Sequence, residues 1–135
     1  MKILLISHGE FAEGLKKTAE VFFGAKNLYT ANVDLETGVT GLRESLQNYI
    51  EEWSGEQIVI CSDLKGGSAN QAACEFINYP NVFLISGTNL AVILQLITET
   101  EIHEDKIREI IQMAKEDVVF VNDFIKQITT DSDDE

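Results

Sequence analysis

Three short apolar runs constrain this chain most: residues 3–6 (Ile-Leu-Leu-Ile), 58–61 (Ile-Val-Ile-Cys) and 82–85 (Val-Phe-Leu-Ile). A strand with no polar alternation needs cover on both faces, the situation of parallel strands in an α/β sheet. Each run breaks at a polar or glycine-bearing loop and then gives way to apolar residues at helical spacing. After residues 3–6 come Ser7-His8-Gly9 and then a helix over about 11–23. Its apolar face is read as Phe11, Leu15, Ala19 and Phe22, and Gly24 stops it. A second strand is read at 28–33 and a helix around Leu42, Leu46, Tyr49, Ile50 and Trp53. The third strand is 57–62. After the loop 63–68 comes a helix facing inward with Ala69, Ala72, Ala73, Phe76 and Ile77. The fourth strand, 82–85, leads through Ser86–Asn89 into a helix over 90–98. A fifth helix begins near Glu104, with Ile107, Ile110, Ile111 and Ala114 inward. Residues 118–128 fit a strand by composition and a helix by periodicity.

This alternation predicts an α/β fold: a doubly wound, four-stranded parallel sheet with helices on both faces and right-handed crossovers. Strand order 2-1-3-4 places the ends of strands one and three side by side at the switch point. Of the 135 residues, 1–128 read as one domain and 129–135 as an acidic, disordered tail.

The net charge is −13, from 23 acidic and 10 basic residues. That argues against nucleic acid, whose phosphates call for clustered lysine and arginine, and against an anionic membrane surface. No apolar run approaches a membrane span and the N-terminus lacks a signal peptide, so a cytoplasmic protein is expected. Cys61 and Cys74 read as free buried thiols of a reducing compartment. Neither has a second Cys or His at ligand spacing, so no metal site is expected.

The chemistry concentrates at the strand ends. His8 follows the first strand and Asp63 the third, so the sheet order sets them facing each other. A carboxylate beside an imidazole fixes its tautomer and stabilises positive charge on the ring, leaving the other nitrogen as a nucleophile. Gly66-Gly67-Ser68 opens a helix, where backbone N–H groups favour an anion. Ser68 and Gln71 have capping-box spacing, so Ser68 is read as the N-cap, a role that competes with donation to an anion. Together these residues describe a phosphohistidine site: His8 and Asp63 catalytic, Gly66, Gly67 and Ser68 phosphate-binding. Lys65 reads equally as solvent-exposed or phosphate-attracting, Asn89 as a helix cap, and His103 as a surface residue.

In these pieces the chain resembles the mannose-family enzyme IIA component of the bacterial sugar phosphotransferase system. The matching stretches are Ile6-Ser-His-Gly-Glu-Phe-Ala-Glu-Gly-Leu15 with Thr18-Ala-Glu20, then Asp63-Leu-Lys-Gly-Gly-Ser68, then Gly87-Thr-Asn-Leu90. Where members of that family have Pro-x-Asn after the serine, this chain has Ala69-Asn70-Gln71. The resemblance implies that His8 accepts a phosphoryl group from the histidine phosphocarrier protein and passes it to a IIB component. Membrane IIC and IID components then import the sugar that IIB phosphorylates. No cofactor is implied. It further implies a homodimer in which residues 118–124 form an antiparallel strand exchanged between subunits. Two other readings stand beside this one: the phosphoryl-donor subunit of phosphoenolpyruvate-dependent dihydroxyacetone kinase, and a non-catalytic flavodoxin-like module.

Overall fold

The structure is a computed structural model and describes residues 1–133. Its elements run β1 (Lys2–His8), α1 (Phe11–Phe23), β2 (Leu28–Val33), α2 (Gly38–Glu52), β3 (Ile58–Ser62) and α3 (Ser68–Cys74). They continue with β4 (Val82–Ile85), α4 (Leu90–Leu96), α5 (Glu104–Lys115) and α6 (Val121–Asp133). The four strands form one parallel sheet in the order β2-β1-β3-β4, as the alternating pattern predicts.

The uninterrupted apolar runs serve two cores at once. In β1, Ile3 and Leu5 point to one face and Leu4 and Ile6 to the other, because side chains alternate along a strand. Val59 and Cys61 join the first core, where α1, α4 and α5 pack; Ile58 and Ile60 join the second, under α2 and α3. All eight are at most 2% exposed. Full burial of each leucine, isoleucine or valine stabilises the fold by roughly 1.5–3 kcal/mol.

The helix faces differ in detail from the sequence reading. In α1 the buried residues are Ala12 and Ala19, with Leu15 half-buried between them, while Phe11 and Phe22 are exposed. Small alanines let the helix lie close on the sheet and leave the phenylalanines at its flank. Ile77 lies beyond the end of α3 and is exposed. Cys61 is buried as expected, but Cys74 is exposed. Burial pushes the Cys61 thiol up to about 12, so it stays protonated and inert.

The C-terminus is the main correction. Residues 118–124 do not form a strand: 118–120 have no regular structure and Val121 begins α6. The helical spacing of Val121, Phe124, Ile125 and Ile128 prevails over β propensity, which depends on a sheet neighbour that this chain does not supply. The expected disordered tail differs likewise, since residues 129–133 continue α6; residues 134–135 lie outside the described residues. Among the described residues no helix is long and apolar enough to cross a membrane.

Candidate functional site

His8 is the last residue of β1, and Asp63 directly follows β3. Ile6 pairs with Ser62 in the parallel register, so the two chains leave the sheet together and bring these side chains into contact. The Asp63 carboxylate is held at three points. Its Oδ2 accepts from the His8 backbone N–H at 2.9 Å and lies 2.8 Å from the ring Nδ1. Its Oδ1 accepts from the Leu64 N–H at 2.9 Å. Burial pushes the Asp63 carboxyl up, but the bonds from His8 and Leu64 outweigh it and hold the group below its ordinary value. Asp63 is therefore an acceptor only, and the proton of that contact resides on Nδ1. In the neutral ring this leaves the lone pair on Nε2.

Nε2 lies 2.9 Å from the Ser68 hydroxyl. Ser68 is therefore not the expected N-cap. Gly67 takes that position, and no side chain caps α3. Gln71 departs from its capping-box role as well, donating from Nε2 to the Gly66 carbonyl at 3.0 Å. As a cap the Ser68 oxygen would accept from backbone N–H groups of the first turn; in the fold the hydroxyl faces the ring nitrogen brought in by β1 instead. Gly66 sits at φ +78°, a conformation that glycine adopts without a steric cost. Gly67 passes so close to the imidazole that a Cβ there would lie 3.5 Å from His8 Cε1. The Gly67 N–H donates to the Leu64 carbonyl, which fixes the turn against the ring.

Several positioning residues escape a reading by local spacing. Ser62 and Ser7 are fully buried polar residues at matching strand ends. Ser62 donates to Asn70 Oδ1 at 2.8 Å, while its carbonyl accepts from the Thr88 N–H and hydroxyl. This clamps the residue before Asp63 from both α3 and the loop entering α4. Ser7 Oγ accepts from the Ala12 N–H at 2.9 Å, supplying α1 with the cap that Glu10 does not provide. The Asn32 amide, turned with its nitrogen toward them, donates to the carbonyls of Ala31 and Gly9. The signal for such residues is a polar side chain closing a buried apolar strand, because a buried hydroxyl requires a partner. The departure from Pro-x-Asn falls at Ala69, which is fully buried, and at Gln71, which ties α3 to the Gly66 turn.

The remaining candidates separate. Lys65 is exposed and forms no ion pair among the described residues. Asn89 caps α4 as expected, accepting from the Val92 N–H at 3.0 Å. His103 caps α5, its Nδ1 accepting from the Lys106 N–H. It lies at the opposite end of the sheet from His8, because Gln57 at the start of β3 holds the neighbouring Ile102 backbone. Beside His8 opens a crevice of about 640 Å³, lined by Gly9, Val33, Asp34, Leu35 and Glu36.

A family model described as the PTS system fructose IIA component matches residues 2–123. This chain belongs to that family. IIA components are phosphotransferase components of sugar transport, so a transferase role in general comes with membership. Solved structures agree. The PTS IIA protein associated with the fucose utilization operon from Streptococcus pneumoniae is 26% identical with a TM-score of 0.81. The match covers 92% of this chain and 95% of that one. The mannose/sorbose specific IIA subunit from Enterococcus faecalis is 24% identical with a TM-score of 0.78, over 87% of this chain and 92% of that one. The phosphotransferase system component EIIA from Streptococcus agalactiae, at 21% identity and a TM-score of 0.79, covers 90% and 97% respectively. The last two, under 25% identical, bear on the fold. A search of curated proteins gives no match.

Proposed function

We propose that this IIA-family chain is a phosphoryl carrier of the cytoplasm, with His8 as acceptor and Asp63, Gly66, Gly67 and Ser68 as its site. The observation that supports this reading is the ring of His8, half-exposed at the carboxyl end of β1, tied at Nδ1 to Asp63 and with Nε2 facing the Ser68 hydroxyl. The Nε2 lone pair attacks the phosphorus of a phosphorylated histidine on the histidine phosphocarrier protein. The Nε2–P bond forms, the donor's N–P bond breaks, and the donor ring keeps that electron pair. The Nδ1 proton stays with His8, and Asp63 balances the positive character the ring acquires. Ser68 turns from Nε2 to donate to a phosphoryl oxygen, with the glycine turn lying close enough to face the same group. The reverse geometry delivers the phosphoryl group to a histidine of a IIB component, which serves membrane IIC and IID components. Because both bonds are N–P bonds, the protein has mainly to position the groups and stabilise charge. The test is incubation with phosphoenolpyruvate, enzyme I and the phosphocarrier. One acid-labile, base-stable phosphoryl group per chain is expected, and no uptake contradicts the reading.

The carrier functions as a homodimer. Every residue from 115 to 132 is exposed, including Val118, Phe120 and the α6 stripe Val121, Phe124, Ile125 and Ile128. A single 13-residue helix is marginal in water, and an apolar stripe of this kind requires a covering surface. Among the described residues the edge of β4 away from β3 is likewise unpaired. Light scattering on the full chain is expected to give the mass of a dimer, and on a chain ending at Lys115 that of a monomer. A truncated chain that stays dimeric contradicts this arrangement.

A further inference from the structure

We infer that Ser62 and Asn70 are positioning residues for transfer: their hydrogen bond closes the base of the loop that carries both ring partners of His8, and so holds the imidazole between Asp63 and Ser68. This inference rests on the reading of His8 as a phosphoryl acceptor.

The two partners of the ring belong to one short loop. Asp63 meets Nδ1 at 2.8 Å and Ser68 meets Nε2 at 2.9 Å. The imidazole is planar and rigid, so both contacts persist together only while the separation of residues 63 and 68 is fixed. Inside the loop, the Gly67 N–H donates to the Leu64 carbonyl. That bond spans 64–67 and leaves Asp63 and Ser68, at the two ends, to be held from outside. Ser62 and Asn70 flank those ends, one residue before Asp63 and two after Ser68. The Ser62 hydroxyl donates to Asn70 Oδ1 at 2.8 Å, which clips the end of β3 to the first turn of α3.

The setting makes this clip firm. Ser62 is fully buried, and a hydroxyl at that depth requires a partner. Its carbonyl accepts from the Thr88 N–H at 3.0 Å and from the Thr88 hydroxyl at 2.7 Å, which anchors its backbone. The Asn70 amide is oriented at its other end by Cys74, whose Sγ lies 3.9 Å from Nδ2. Ala69, Ala72 and Ala73 are fully buried and seat α3 against the sheet. None of the Ser62 and Asn70 side-chain bonds involves the His8, Asp63 or Ser68 side chains, so the pair acts on the ring only by placing its two partners.

The test is rapid-quench transfer from the phosphorylated histidine phosphocarrier to the full-length chain, with nitrogen-15 NMR of His8 on the same samples. A misplacement of about 1 Å costs up to about 10²-fold in rate, and loosening the clip is expected to cost less. Asn70→Ala and Ser62→Ala are each expected to lower the limiting rate about tenfold at an unchanged half-saturating phosphocarrier concentration. The double variant is expected to fall no further than the slower single one, because both substitutions remove the same bond. In the neutral ring of wild type the proton is expected on Nδ1, and both single variants are expected to show a mixture of tautomers. Asn81→Ala is the control for lost stability: it removes a 2.7 Å bond to the Glu56 carbonyl at the opposite end of the sheet and keeps the wild-type rate and tautomer. Wild-type rates in both single variants, additive losses in the double variant, an unchanged tautomer, or an equal fall in Asn81→Ala each overturn the positioning role while leaving His8 as acceptor. A wild-type chain that the phosphocarrier does not label overturns both.

Discussion

His8→Ala is expected to take up no phosphoryl group from the phosphorylated phosphocarrier. Deleting the nucleophile of a serine protease costs on the order of 10⁶ in rate, and here nothing replaces the lost ring. The other histidine, His103, caps α5 at the opposite end of the sheet. The fold should survive the change, because the His8 side chain is 48% exposed and its removal leaves no sealed cavity. Asp63 also keeps two of its donors, the backbone N–H groups of residue 8 and Leu64. The variant is therefore expected to lie within about 1 kcal/mol of wild type in denaturant melts. Undiminished labelling of the folded variant contradicts the assignment of His8.

Asp63→Asn is expected to slow transfer about ten- to a thousandfold, roughly 1.4 to 4 kcal/mol of barrier. Three N–H donors converge on two carboxylate oxygens: the His8 backbone and ring on Oδ2, and Leu64 on Oδ1. An asparagine has one oxygen, so in either orientation its NH₂ opposes a donor. With the oxygen toward His8 the ring tautomer is kept and only the compensating charge is lost, which is the tenfold end. With the NH₂ toward His8 the ring is driven to the other tautomer, a change that costs about 10⁴ in the serine-protease triad. The loss here is smaller, since either tautomer retains a nucleophilic nitrogen.

The same residue links the site to stability. Its carboxyl is held below the ordinary value near 3.9, so the bonds to the charged form stabilise the fold above that pH. That contribution is lost as pH falls through the lowered value. The Asn variant is therefore expected to be less stable than wild type at pH 7, with the gap closing in acid below about pH 4. Urea midpoints across that range measure it. A gap that widens toward acid contradicts the assigned direction, and a wild-type transfer rate removes Asp63 from the chemistry.

What the sequence discloses is set by how local the physics is. Residues 3–6 and 58–61 announce doubly covered parallel strands because nothing in them alternates. The 2-1-3-4 order then suffices to bring His8 to Asp63, 55 positions away. Ser68 is misread because Ser-x-x-Gln looks like a cap, and only the fold reveals the ring nitrogen that takes its hydroxyl. Phe11 and Phe22 mislead for a related reason: periodicity admits two stripes on α1, and close approach to the sheet selects the one with alanines. At residues 118–128 both periods are present, and the choice depends on which surface a strand or helix finds. Within one chain it finds none, so the helical period prevails. Ser62, Thr88 and Asn70 stay hidden because their bonds link β3, α3 and the loop before α4, which no spacing rule connects.

The most direct measurement is the ring position of the phosphoryl group. Nitrogen-15 NMR of the histidine-labelled wild-type chain, recorded during turnover with phosphoenolpyruvate, enzyme I and the phosphocarrier, distinguishes the two ring nitrogens. Phosphorylation at Nε2 of His8, with Nδ1 still bearing the proton shared with Asp63, is the predicted result. A phosphoryl group on Nδ1 of His8, or on any other residue, contradicts the account.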